Sequence, residues 1–277
     1  VFAQAATWWT IFRISVEERL VYRGDFALGT LMRFLPIVTQ IFLWGAVFES
    51  VGAADSSGQT RIVGYSYSDF IAYYLLTMIS RAFSSMPGLA SGIARDIREG
   101  TIKKYLAQPI DMLGFLLLYR VAHKAVYYLV AALPFTAVFV VCRGYFHGWP
   151  DATTLAAFFA SLVLGFLLGF FLEATIGMIG FWFLEVSSLL FIYMLLSFFF
   201  SGHMFPIDML PGFWGEVVRV IPLQYLAYFP VAIFLGKVTG SALAWGLAIQ
   251  LAWTIFFIVA SRVAFSFGVR RYSGFGG

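Results

Sequence analysis

Between Thr153 and Met204 the chain carries two carboxylates, Glu173 and Glu185, and no lysine or arginine. A single helix over that run would overshoot a bilayer at about 1.5 Å rise per residue, so it divides into two membrane helices with a turn near Glu185. Composition points the same way. Of 277 residues, 61% are hydrophobic and 12% charged, whereas soluble domains are about half apolar and about a quarter charged. That balance excludes an ordinary water-soluble fold, a disordered chain and a nucleic-acid-binding module, so no nucleic-acid partner is expected.

Apolar stretches at 26–48, 69–90, 113–141, 153–178, 186–204 and 240–265 predict an all-α integral membrane protein with six transmembrane helices. Arg120, His123 and Lys124 interrupt the first half of the third stretch, which places its start at the membrane surface and 125–141 across the core. Trp9, Phe12, Val16 and Leu20 share one helical stripe beside Arg13, Glu17, Glu18 and Arg19. Residues 1–25 therefore read either as an interfacial helix lying on the membrane or as a cytosolic cap packed on the bundle. The six-helix domain spans 26–265, and a C-terminal tail follows over 266–277. With the N-terminus inside, Arg95, Arg98, Lys103, Lys104, Arg120, Arg270 and Arg271 fall on the cytoplasmic side, while Arg61, Arg143, Arg219 and Lys237 fall outside. The positive-inside rule then places both termini in the cytoplasm. No cleavable leader is expected. The lone Cys142 and the scattered His123, His147 and His203 show no ligand spacing, so no metal site and no redox cofactor are expected.

Four features invite a functional reading. The inner loop carries Ile93 and Ile97 one helical turn apart and Ile102 and Leu106 another, punctuated by Gly100 and Pro109. A short amphipathic helix over 93–109, tied to two spans and projecting anchors, suits docking on a cytosolic partner. In the fourth span Ser161, Gly165, Gly169 and Gly177 form a ridge of small residues that lets backbones approach closely. Glu173 lies on that ridge, and Arg81 in the second span is its expected partner, because a carboxylate near hydrocarbon is costly unless paired or hydrated. Such a pair is expected to be structural rather than a proton or substrate relay. Phe198, Phe199, Phe200 and Phe205 stand at the outer end of the fifth span as lining for a path or as part of an aromatic belt. The apolar connection 203–238 holds Pro206, Pro211, Pro222 and Pro230 and reads as short broken helices dipping into the outer leaflet.

The stretch Arg98-Glu99-Gly100-Thr101-Ile102 through Leu106-Ala107-Gln108-Pro109 resembles the R-x-G-[ETS]-[IL]…L…P segment after the second span in permeases of type-2 ABC transporters. Ser201-Gly202, Phe205-Pro206, Leu210-Pro211, Pro222 and Tyr225 resemble the SG…FP…LP…P…Y signature of the same family. The resemblance implies that Ile93, Ile97, Arg98, Glu99, Gly100, Ile102, Lys103 and Leu106 form a coupling helix, and that 203–238 forms extracellular re-entrant helices. It also implies that Phe198, Phe199 and Phe200 line the path. The only Gly-Lys pair, Gly236-Lys237, precedes Val238 and lacks the rest of a phosphate-binding loop. The chain is thus expected to be no enzyme and to bind no cofactor, with ATP and Mg held by a separate cytosolic ATP-binding subunit. A second permease, identical or homologous, would complete an exporter in the bacterial plasma membrane, among its lipids. The alternative is a structural or cofactor-contacting membrane subunit of a larger energy-transducing complex.

Overall fold

The computed structural model describes residues 2–21, 23–51, 60–146, 148–183 and 185–272. The middle of the first outer loop, His147 and the end of the C-terminal tail lie outside the described residues. The helices are α1 (Phe2–Val21), α2 (Arg23–Val51), α3 (Tyr67–Ser84), α4 (Leu89–Arg98), α5 (Lys103–Leu106), α6 (Met112–Val141), α7 (Ala152–Met178), α8 (Ser187–Phe200), α9 (Gly212–Val220), α10 (Tyr228–Phe234) and α11 (Gly240–Arg271). A hairpin of β1 (Arg61–Ile62) and β2 (Tyr65–Ser66) precedes α3. Among the described residues, four segments are long and apolar enough to cross a membrane: Phe34–Val51 of α2, Met112–Val141, Ala152–Phe181 and Gly240–Arg271.

The expected second and fifth spans take other forms. The 69–90 stretch is not one helix: α3 ends at Ser84 and α4 begins at Leu89, with Pro87 and Gly88 between them and Gly88 at φ 74°. Proline denies the ladder a donor and the left-handed residue after it ends one helix and starts the next. The fifth stretch contracts to α8, an apolar helix of 14 residues. The third is continuous, since α6 runs unbroken through Arg120, His123 and Lys124. The Asp111 carboxylate caps it by accepting the Gly114 N–H at 2.7 Å.

Two compact units emerge, Val1–Leu75 with Pro109–Gly148 and Leu76–Gln108 with Trp149–Gly277. In the first, α2 and the start of α3 run antiparallel through aromatic contacts, Trp44 on Phe70 and Phe48 on Tyr67. The face of α1 that packs on α6 carries Trp8, Ser15 and Arg19 rather than the expected stripe: Trp8 meets Gly114, and the Arg19 guanidinium lies 4.6 Å over the Tyr119 ring. Trp9 is left 66% exposed. Tyr119 supplies both a ring face and a hydroxyl for Arg19, and so turns the helix about its axis from the orientation that apolar periodicity alone favours.

The second unit is built on α7. Ser161 sits against Gln250 of α11, Gly165 against the Tyr225 carbonyl, Gly169 against the Ser84 carbonyl and Gly177 against Ala90 and Ile93. Gln250 is fully buried; it accepts from the Ser161 hydroxyl at 2.9 Å and donates to the Ser161 carbonyl at 2.9 Å. Between α8 and α11 the proline-rich connection folds as two 3-10 turns, Ile207–Met209 and Pro222–Leu226, with α9 and α10. Its freed carbonyls find partners in protein: Ser80 donates to Leu226, and Gln224 to Arg219.

Candidate functional site

The inner loop folds as a knuckle rather than one helix. Leu89, Ala90, Ile93, Ala94 and Ile97 make the buried face of α4, and that face lies on the glycines of α7 and the 3-10 turn after it. A Cβ on Gly177 would stand 2.8 Å from the Ala90 carbonyl oxygen, and one on Gly180 3.1 Å from Ala94 Cα. After Glu99 the chain reverses at Gly100, at φ 77°. Ile102 then tucks back, fully buried, and its N–H donates to the Asp96 carbonyl at 2.9 Å. The Asp96 carboxylate accepts from the Thr101 hydroxyl at 2.8 Å and pairs with Lys104 at 3.1 Å. Burial alone would lower the Lys104 pKa, but the hydrogen bond and charge of Asp96, together with Tyr105, hold it above the ordinary value. Ile93, Ile97 and Ile102, expected as anchors for a partner, therefore serve the interior. Arg98, Glu99, Lys103 and Leu106 are exposed, and Arg98 reaches Glu185 at 3.5 Å.

Arg81 and Glu173 line one cavity of about 240 Å³ with Tyr193 and Ser197 of α8, Met86, Pro87 and Gly88 of the α3–α4 break, and Ala90 and Ser91 of α4. The Arg81 side chain closes no hydrogen bond or ion pair among the described residues, although Tyr193 and Glu173 are within its electrostatic reach. The two expected partners thus meet across an open space. Tyr193 and Ser197, spaced i and i+4 in a helix otherwise read as apolar, were the polar signal in the fifth stretch, and Pro87-Gly88 was the break signal in the second.

The aromatic cluster divides. Phe199, Phe200 and Phe205 line an apolar cavity of about 320 Å³ with Leu195, Leu196, Leu210 and Trp214, and Phe200 stacks on Trp214 at 6.1 Å. Phe198 instead packs on His203 at 5.0 Å.

A family model described as ABC-2 family transporter protein matches residues 34–276. The chain belongs to the ABC-2 transporter family. No curated protein matches it. As an ABC-2 protein it is the multi-pass membrane component of an ABC transporter, a permease that is not itself catalytic, and the family implies association with an ATP-binding subunit. The match runs through α3 to α11 and so takes in the knuckle, the charged cavity and the proline-rich connection.

Proposed function

We infer that this ABC-2 permease serves an ATP-driven exporter. Two such permeases, identical or homologous, pair with two cytosolic subunits that hold ATP and Mg. Closure of those subunits pushes the coupling element over residues 93–109, and cargo leaves past the outer end of α8, where Phe198, Phe199, Phe200 and Phe205 stand. The observation that carries this reading is the knuckle. Its inner face is locked on Gly177 and Gly180, and its turn is tied by Asp96, so a push on exposed Lys103 and Leu106 passes to α7 instead of dissipating in a loose loop.

Six spans, both termini in the cytoplasm and a bacterial plasma-membrane location complete the proposal, with 1–25 interfacial, 26–265 the permease domain and 203–238 extracellular re-entrant helices. Helix direction supports it. Ser161 meets Gln250 and Phe181 meets Gly268, so α7 and α11 run parallel. Ala90 meets Gly177 and Ala94 meets Gly180, so α4 also runs parallel to α7. Two parallel spans require the chain between them to return across the bilayer, and between α7 and α11 the apolar α8 is available to do so, despite its length of about 21 Å at 1.5 Å per residue.

The test is co-purification of the tagged chain with its ATP-binding subunit from the native host, followed by a vanadate-sensitive ATPase assay. A Lys103→Glu, Leu106→Asp double variant changes only exposed side chains; it should lose the subunit while keeping wild-type thermal stability. Full retention of the subunit would remove the coupling role from this segment. Ile97→Ala is the contrasting control, expected to lower stability by about 2–5 kcal/mol because it empties a packed site.

A further inference from the structure

The cavity between the α3–α4 break and α8 combines three features that structural packing does not require together. First, the partly exposed Arg81 guanidinium lines it, with Tyr193 and Glu173 in electrostatic reach but no hydrogen bond to a described side chain. Second, the N-terminus of α4 opens on it. Gly88 provides no side-chain cap, and among the described residues the backbone N–H groups of Ala90 and Ser91 find no acceptor. An uncapped helix start is a centre of partial positive charge with donors pointing outward. Third, Glu173 lines the same space and supplies the opposite charge. The mouth is apolar on the α8 side, where Leu190 lines it and Met194 is 55% exposed.

A guanidinium fork beside free helix N–H groups matches a phosphate or carboxylate. A carboxylate on the same cavity matches an ammonium next to that anion, and it disfavours a ligand that carries the anion alone. A space of about 240 Å³ is smaller than the sites that hold whole drug-sized molecules, so it suits a headgroup whose chains remain outside over Leu190 and Met194. We propose that the cavity bounded by Arg81, the start of α4 and Glu173 binds the headgroup of a zwitterionic amphiphile, its anion on Arg81 and the Ala90 and Ser91 N–H groups and its ammonium toward Glu173. Such a site requires the chain to lie in a bilayer; it does not require coupling to an ATPase. Loss of the coupling reading would leave it standing, and its own failure would leave that reading standing.

Native mass spectrometry of the full purified chain, titrated with phosphatidylethanolamine or phosphatidylglycerol, tests the site. Phosphatidylethanolamine is expected to be retained at least about tenfold more tightly, the scale of one hydrogen bond to a charged group. Arg81→Gln should release both lipids, and Glu173→Gln should abolish the preference while retaining phosphatidylglycerol. Because Arg81→Gln also removes side-chain volume from the cavity wall, Ser91→Asp provides a variant that spares the fold. It places a carboxylate in the first turn of α4, where it favours the helix, on an exposed position, and it should weaken retention of both lipids with helix content unchanged. Glycerophosphoethanolamine, the same headgroup without chains, should compete only weakly; competition equal to that of the lipid would overturn the amphiphile and assign the site to a soluble zwitterion. Equal retention of the two lipids by the wild type, an undiminished preference in Glu173→Gln, or unchanged retention in Ser91→Asp would overturn the proposal.

Discussion

Gly177→Ala adds one methyl group where α4 crosses α7. Its Cβ would stand 2.8 Å from the Ala90 carbonyl oxygen, 2.9 Å from Ile93 Cβ and 3.1 Å from Ala90 Cα. Ordinary carbon–oxygen and carbon–carbon contacts begin near about 3.3 and 3.5 Å, so α4 must withdraw by about half an ångström. Two of the three obstacles are backbone, which no rotamer change removes. A gap of that size forfeits about a quarter of the attraction between the atoms it separates, and overpacking costs about 1–3 kcal/mol. Against this stands a gain of up to about 1 kcal/mol from replacing a helical glycine. Gly92→Ala, in α4 with nothing within 4 Å of its Cβ, isolates the gain. The stability difference between the two variants is therefore expected at about 1–3 kcal/mol, with Gly177→Ala the weaker. Gly169→Ala should fall lower still, because its Cβ would overlap the Ser84 carbonyl. Equilibrium unfolding in mixed micelles, followed by tryptophan fluorescence, measures all three. Gly177→Ala as stable as Gly92→Ala would refute the close approach of α4, and with it the rigid link from the knuckle to α7.

Gln250→Leu should destabilise the second unit by about 1–3 kcal/mol in the same unfolding assay, because it strips a partner from the buried Ser161 hydroxyl; a neutral result would deny that bond. Val63 holds φ 48° in the β1–β2 hairpin and is 57% exposed. Asparagine accepts that conformation readily, so Val63→Asn should raise stability by about 1 kcal/mol, read as a higher thermal midpoint. The Asp151 carboxyl, hydrogen-bonded to Thr153 and Thr154 at the start of α7, is held down at about 2. A folded pKa below the ordinary 3.8 means that its stabilisation is present above about pH 4 and is lost as pH falls toward 2. Asp151→Asn should therefore flatten the acid limb of the stability profile over that window, and an unchanged limb would deny the effect.

The span of each long helix was legible because hydrocarbon filters composition so strongly. Four of the six apolar stretches became helices long and apolar enough to cross a membrane, with bounds displaced by a few residues at most ends. The motifs over 98–109 and 201–225 led to the family that the match over 34–276 shows. Less legible was the inner loop. Its isoleucine spacing signalled a helix with one apolar face, but periodicity does not tell a face that awaits a partner from one already covered, and Gly177 and Gly180, far along the chain, cover it. The Arg81 and Glu173 charges were legible as related, yet Tyr193 and Ser197 disappeared into an apolar average, and the break at Pro87-Gly88 was smoothed over by the hydropathy around it.

By itself, then, the sequence determined the solvent, the helical class, the positions of the long spans and the family motifs, all of which depend on residues close together along the chain. Only the tertiary structure decided which face of α1 and α4 is buried, that α7 carries the second unit, and that Arg81 faces Glu173 across an open cavity. These outcomes depend on shape at contacts between distant segments: where a glycine admits a carbonyl, where Gln250 finds Ser161, and where a helix start is left without a cap. Hydrophobicity is summed locally, whereas packing is settled between surfaces, and one-dimensional order carries the first but not the second.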